Sequence, residues 1–168
     1  MRQIGTLFGR PIAQYWEDLE LWERVLNDYP DMKWIVELGT WEGGMSFYLY
    51  GQAYARKMFF STIDIKDPEK LVPLFVNYNV HDGFPKHITY PIKYPGILFC
   101  DNGDKPEEVK MYSQIVNPES IIAVHDWGTE FIPNDIPNDW HAVRSSSTTV
   151  FLAKNDSTVK MKGPVFTP

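Results

Sequence analysis

Lys33 to Arg56 reads KWIVELGTWEGGMSFYLYGQAYAR, and a change of rhythm inside it decides the fold. Trp34-Ile35-Val36-Glu37-Leu38 is a short apolar run with β-branched residues, the composition of a strand. Beyond Gly39, Gly43 and Gly44 the apolar spacing lengthens to Met45, Leu49 and Ala53, the period of a helix. Strand, glycine turn and helix therefore follow one another. Glycines at such a junction let the chain bend sharply and come close to a ligand, and the free N–H groups of the first helical turn face any negative group placed there. This turn is the first candidate ligand site.

The glycine spacing discriminates between ligands. A dinucleotide fingerprint runs Gly-x-Gly-x-x-Gly, which makes NAD the least favoured ligand, because Gly39-Thr40-Trp41-Glu42-Gly43 runs Gly-x-x-x-Gly. With Glu37 two places ahead of Gly39, the turn resembles the first motif of the class I S-adenosylmethionine (SAM)-dependent methyltransferases, acid-x-Gly-x-x-x-Gly, whose loop holds the methionine part of the cofactor. In that family a second acid, closing the next strand, binds the ribose hydroxyls. Met58-Phe59-Phe60-Ser61-Thr62-Ile63-Asp64 is such a strand, and Asp64 closes it about one βα unit further on. The resemblance thus implies SAM as cofactor, with Glu37, Gly39, Thr40, Gly43, Gly44, Ser46 and Asp64 as its binding residues.

The whole chain fits this scale. Its 168 residues suit one compact domain, 1–168, and 43% hydrophobic with 15% aromatic content argues against disorder. A net charge of −6 disfavours a nucleic-acid partner, since such binding needs a basic face. Cys100 stands alone in an apolar run, which excludes an internal disulfide and reads as core. No apolar stretch reaches the length of a membrane span and the N-terminus lacks the apolar centre of a signal peptide, so a soluble, cytoplasmic protein without a membrane partner is expected.

Along the chain, residues 1–30 form an arm and a helix. Ile4 to Arg10 reads as an extended arm or flap, Pro11 suits a first helical turn, and Tyr15, Leu19, Trp22, Val25, Leu26 and Tyr29 recur at spacings of three and four until Pro30. Asp67 and Pro68 signal another helix start, with Leu71, Leu74, Phe75 and Tyr78 on its apolar side. The proline-rich span Val80 to Pro95 offers only His87-Ile88-Thr89-Tyr90 as a short strand. Gly96-Ile97-Leu98-Phe99-Cys100-Asp101 and Ser120-Ile121-Ile122-Ala123-Val124-His125-Asp126 are continuous apolar runs, as expected of strands covered on both faces. Between them Lys105 to Val116 reads as a helix with an Asp104-x-x-Glu107 capping box. Residues 127–146 show no periodicity and read as a loop or lid, Thr148 to Ala153 as a last long strand, and Val159 to Phe166 as an edge strand. Strands alternating with helices give an α/β class, a Rossmann-like, doubly wound, mostly parallel sheet, with ligands at the carboxyl ends of the strands.

Asp101, His125 and Asp126 close neighbouring strands, whose ends lie about 5 Å apart, so their side chains converge. Two carboxylates and an imidazole suit a divalent cation such as Mg2+, and suit equally a metal-free arrangement with His125 as general base and Asp101 or Asp126 orienting it. Trp16, Trp22, Trp41, Trp127 and Trp140 are candidate pocket walls, because aromatic faces attract cations such as a sulfonium. The aromatic surplus also leaves room for an oligomer surface.

The opening Phe8-Gly9-Arg10-Pro11-Ile12-Ala13-Gln14, the Glu37 to Ser46 loop, and Asp101 followed by a helix and an Ile-Ile-Ala-Val-His-Asp strand look like the cephalosporin-hydroxylase-like and related class I O-methyltransferases over most of residues 8 to 126. That likeness implies O-methylation of a small molecule or sugar, with Asp101, His125 and Asp126 in the metal or catalytic places. The chain departs from relatives with Asp-Gly-x-His after the fourth strand, having Asp101-Asn102-Gly103-Asp104, and carries His125-Asp126 where some have Glu-Asp. Two other readings keep the same ligand hollow: a SAM-cleaving enzyme, since the chain lacks a substrate domain, and a non-catalytic binding module.

Overall fold

The computed structural model describes residues 5–66, 68, 72–86, 88–89 and 91–157, Pro91 by its backbone only. The chain begins with a two-stranded ribbon, β1 (Thr6–Leu7) and β2 (Arg10–Pro11), paired antiparallel. Pro11 sits in this ribbon opposite Thr6 and not at a helix start, as an edge that needs no further donor allows. The helix, α1 (Trp16–Asp28), starts five residues later, where Asp18 accepts the Tyr15 N–H at 2.8 Å. Its buried stripe is Leu19, Leu21, Trp22, Val25 and Leu26, close to the expected one.

The strands β3 (Trp34–Leu38), β4 (Phe59–Asp64), β5 (Phe75–Asn77), β6 (Ile97–Cys100), β7 (Ile121–His125), β8 (Trp140–Ser145) and β9 (Thr149–Lys154) form one sheet in the order β5-β4-β3-β6-β7-β9-β8. The first five are parallel; β9 runs antiparallel to β7, and β8 antiparallel to β9. Alternate residues face opposite sides. Ile35, Phe60, Ile97, Phe99, Ile121 and Phe151 join α1 and α2 (Gly44–Arg56) in one core. Trp34, Val36, Leu38, Ile63, Leu98, Cys100, Ile122 and Leu152 pack with Val109 and Tyr112 of α3 (Lys105–Tyr112) in the other. The result is helix, sheet, helix in three layers, which explains the unbroken apolar runs.

Three local expectations change. Phe75 to Tyr78 do not continue a helix: Phe75 and Val76 pair with Thr62 and Ile63 and give β4 a parallel neighbour, while Asp67 and residues 69–71 lie outside the described residues. Aromatic and β-branched side chains settle on a free strand edge more readily than on a helix. The strand read at residues 87–90 is a turn at Ile88–Thr89, closed by Ile88 N–H to Pro85 O at 2.9 Å and anchored by buried Ile88; His87 and Tyr90 lie outside the described residues. The 127–146 loop contains β8, which binds β9 with a bulge between Ala142 and Arg144. The edge strand expected at Val159 to Phe166 lies outside the described residues. No helix among the described residues is long and apolar enough to cross a membrane.

Asp18 ties the N-terminal layer to the far edge of the sheet. It accepts Thr148 Oγ1 at 2.8 Å and Ser146 Oγ at 2.5 Å, while Arg144 pairs with Asp28 at 3.1 Å. The turn before β9 is thereby held against the start of α1, and Thr148 faces the hollow described next.

Candidate functional site

Strand order reverses between β3 and β6, and a crevice opens outside the carboxyl ends of the strands there, as doubly wound sheets require. A cavity of about 840 Å3 fills it. Of the expected residues Glu37, Gly39, Thr40, Gly44, Asp64, Asp101, His125 and Asp126 all line this one cavity, together with Gln14, Lys105, Glu130 and Thr148. Gly43 and Ser46 are not among the lining residues, although Ser46 bonds to Glu37, which is. Trp41 and Trp127 line the cavity; Trp16 does not, Trp22 is packed edge-on against Phe99 and Phe151 in the core, and Trp140 is buried in the opposite core.

The glycines act first on the protein itself. Gly39 has φ +95°, and a Cβ there would overlap the Asp101 carbonyl; a Cβ at Gly44 would overlap the Pro11 carbonyl oxygen. The turn can therefore lie against the β6 end and the N-terminal ribbon at once. Gly39→Ala combines left-handed strain with a backbone overlap, and is expected to destabilise the fold by about 1–3 kcal/mol, seen as a lowered denaturation midpoint in urea.

Asp64 orders the same turn. Its Oδ2 accepts the N–H groups of Thr40 (2.9 Å) and Trp41 (3.2 Å), and Oδ1 accepts that of Lys66 (2.9 Å). Oδ2 thus takes two donors and Oδ1 only one, so Oδ1 keeps a lone pair for a hydroxyl in the cavity. Glu37 is only 1% exposed. Its Oε2 accepts from Ser46 Oγ, while Oε1 is buried with no partner among the described residues. Burial pushes its carboxyl up to about 8, against the bonds from Ser46 and Thr62, so it is largely neutral at pH 7.

Beside this turn, at the ends of β6 and β7, His125 Nδ1 donates to Asp101 Oδ1 at 2.9 Å and lies 3.5 Å from Asp126 Oδ2. Burial alone would lower the imidazole, but the bonds and charges of the two acids outweigh it and raise His125 to about 10. Its Nε2 has no partner among the described residues. Desolvation raises Asp101, and the His125 bond holds Asp126 well below the usual carboxylate range. Asp126 adopts φ +56°, a conformation that an Asp tolerates better than most side chains, and its carbonyl closes the turn by accepting the N–H groups of Thr129 and Glu130.

Several cavity residues escaped the sequence reading, among them four polar ones with telling contacts. Lys105 and Glu130 pair at 2.7 Å beside Asp126, Thr148 is held by Asp18, and Gln14 reaches Asp101 Oδ2 through Nε2 at 3.4 Å with its own Oε1 buried and without a partner among the described residues. Lys105 did carry a signal: a cation in the first turn opposes the helix dipole, so a buried partner must favour it there. Asp104 is the N-cap of α3, bonded from Glu107 N–H at 3.2 Å, and not a cavity residue.

No protein-family model and no curated protein sequence matches the chain. Solved structures do. One named "cmcI-N160 SAH" superposes with a TM-score of 0.65 at 11% identity, over 89% of this chain and 81% of its own. The SAH-bound methyltransferase PaMTH1 of Podospora anserina gives 0.53 at 12%, over 80% and 77%. The O-methyltransferase TomG of Streptomyces achromogenes, in complex with SAM, gives 0.50 at 15%, over 86% and 82%. The chain thus shares the Rossmann-like α/β fold of these structures, with the mostly parallel sheet expected, seven-stranded among the described residues.

Proposed function

We propose that this protein is a SAM-dependent methyltransferase acting on an oxygen of a small molecule or sugar. The observation that carries the reading is the single cavity into which Glu37, Asp64, Asp101 and His125 all open at the switch point of the sheet. Its volume lies toward the upper end of ligand pockets, about 300–1,000 Å3, which leaves room for an acceptor beside the nucleoside. The group fits on this structure's own terms. Glu37 Oε1, Gln14 Oε1 and His125 Nε2 are buried polar atoms without partners among the described residues, in side chains that line the cavity, and such atoms call for a ligand. The similar fold of SAH- and SAM-bound methyltransferases supports the same assignment.

On this reading Gly39, Thr40, Gly43 and Gly44 form the cofactor turn, Ser46 holds Glu37, and Glu37 and Asp64 accept from the cofactor's amino and ribose groups. SAM when bound supplies an electrophilic methyl group on a cationic sulfur. Asp101 holds the His125 ring in one orientation, so His125 is placed to take the proton of an acceptor hydroxyl, while the walls align that oxygen. Trp41 and Trp127 supply aromatic wall to the same cavity.

Calorimetric titration with S-adenosylhomocysteine (SAH) is expected to show one equivalent bound per chain, and Asp64→Ala to weaken it tenfold or more, about 1.4 kcal/mol. Absence of heat and of any thermal shift at millimolar SAH would overturn the reading. Incubation with SAM and no acceptor is expected to leave SAM intact; its loss would indicate cleavage instead.

A further inference from the structure

We propose that the Lys105 ammonium is the built-in cation of this cavity, held where a divalent metal would otherwise sit against Asp126. The geometry points there without any assumption about the cofactor; only the consequence, methyl transfer that needs no metal, rests on the function proposed above. Lys105 opens α3, and its side chain is 4% exposed. Its Nζ lies 2.9 Å from Asn102 O, 2.9 Å from Asp126 Oδ2 and 2.7 Å from Glu130 Oε2. An ammonium has three donors, and here it has three oxygen acceptors, so its coordination is complete.

Asp101, His125 and Asp126 offer ligand atoms all within 4.8 Å of one another, the kind of set that takes a divalent ion. Two features close that set. Asp101 Oδ1 receives the His125 Nδ1 proton, and Asp126 Oδ2 receives a Lys105 proton. An ion bound to Asp126 Oδ2 would also stand beside the ammonium, where like charges in a half-buried site repel strongly. Without the ammonium, Asp126 Oδ2, Glu130 Oε2 and the Asn102 carbonyl lose their shared donor and become free oxygen ligands, which hard divalent cations prefer. Lys105 therefore decides between an organic and an inorganic cation.

Mn2+ titration followed by electron paramagnetic resonance of the free ion tests this on the intact protein. The native chain is expected to leave the free signal unchanged up to about 1 mM Mn2+, whereas Lys105→Ala takes up one equivalent with a Kd at least tenfold lower. Lys105→Arg, which keeps the charge, is expected to bind none, and Asp126→Asn placed on Lys105→Ala to abolish the uptake. One Mn2+ per native chain, lost in Asp126→Asn, overturns the proposal. So does a folded Lys105→Ala or Lys105→Gln that binds no more Mn2+ than native. Should neither variant fold, the native titration decides. None of these readouts needs SAM, so failure of the methyltransferase reading leaves them standing; with both correct, a chelator leaves the transfer rate unchanged.

Discussion

Replacing His125 by Asn is expected to lower methyl transfer by two to four orders of magnitude, the contribution of a positioned proton acceptor, with SAH affinity changed by less than about threefold. The geometry dictates this split. His125 stands on β7, at the Asp101 and Asp126 end of the cavity, whereas Glu37, Asp64 and the glycine turn lie on β3, β4 and the start of α2. The two acids raise the imidazole to about 10, so at pH 7 it carries its proton and only a small fraction can accept another. For an ordinary hydroxyl acceptor, kcat/KM should therefore climb as pH rises toward 10, by up to tenfold per unit. Asp101→Asn removes a principal cause of the raised value, so the climb should move to lower pH while the plateau falls, the ring having lost its orienting partner. Rate against pH for the native chain and both variants checks this. An alkaline climb that survives in His125→Asn would remove His125 from the proton transfer.

The fold was legible where one local signal sufficed. Glu37 stands one residue before the end of β3 and Asp64 closes β4, and Asp101 and His125 meet because β6 and β7 are in register, pairing Cys100 with Val124. The apolar runs announced strands covered on both sides. Reading failed where a segment's partner lies far away in the chain. Phe75 and Val76 have a pattern that serves a helix or a strand, and the free edge of β4 chose the strand. β8 needs β9 as its template and shows little alternation of its own, since most of its residues are partly exposed. Gln14 and Lys105 became cavity residues only through contacts across the sheet, to Asp101 and Glu130, which no local spacing encodes. The glycines were placed correctly but for an incomplete reason: Gly39 and Gly44 accommodate the chain's own carbonyls as well as any ligand.

Glu37 and Glu108 are expected to make the ligand-free protein less stable as pH rises from about 4.5 to about 8. Burial raises each from 4.5 to about 8. The unfolded chain releases these protons near 4.5, while the native chain keeps them until about 8. Across that window the native state binds more protons than the unfolded state, so stability is full below 4.5, falls with rising pH and levels above 8. Glu37→Gln and Glu108→Gln each remove one such group, so each should flatten the profile and make the protein more stable than native at pH 8, with little change at pH 5. Urea denaturation at a series of pH values reads this directly. The two variants then part company. Glu37 lines the cavity and Glu108 does not. A cation entering beside Glu37 favours its ionised form, so SAM binding at pH 7 should expel a proton, seen in calorimetry as heat that varies with the buffer's ionisation enthalpy. Glu108→Gln should keep that buffer dependence and Glu37→Gln should lose it along with much of the affinity. A proton release that persists in Glu37→Gln would place the ionising group elsewhere in the cavity, and would remove Glu37 from contact with the cofactor's positive charge.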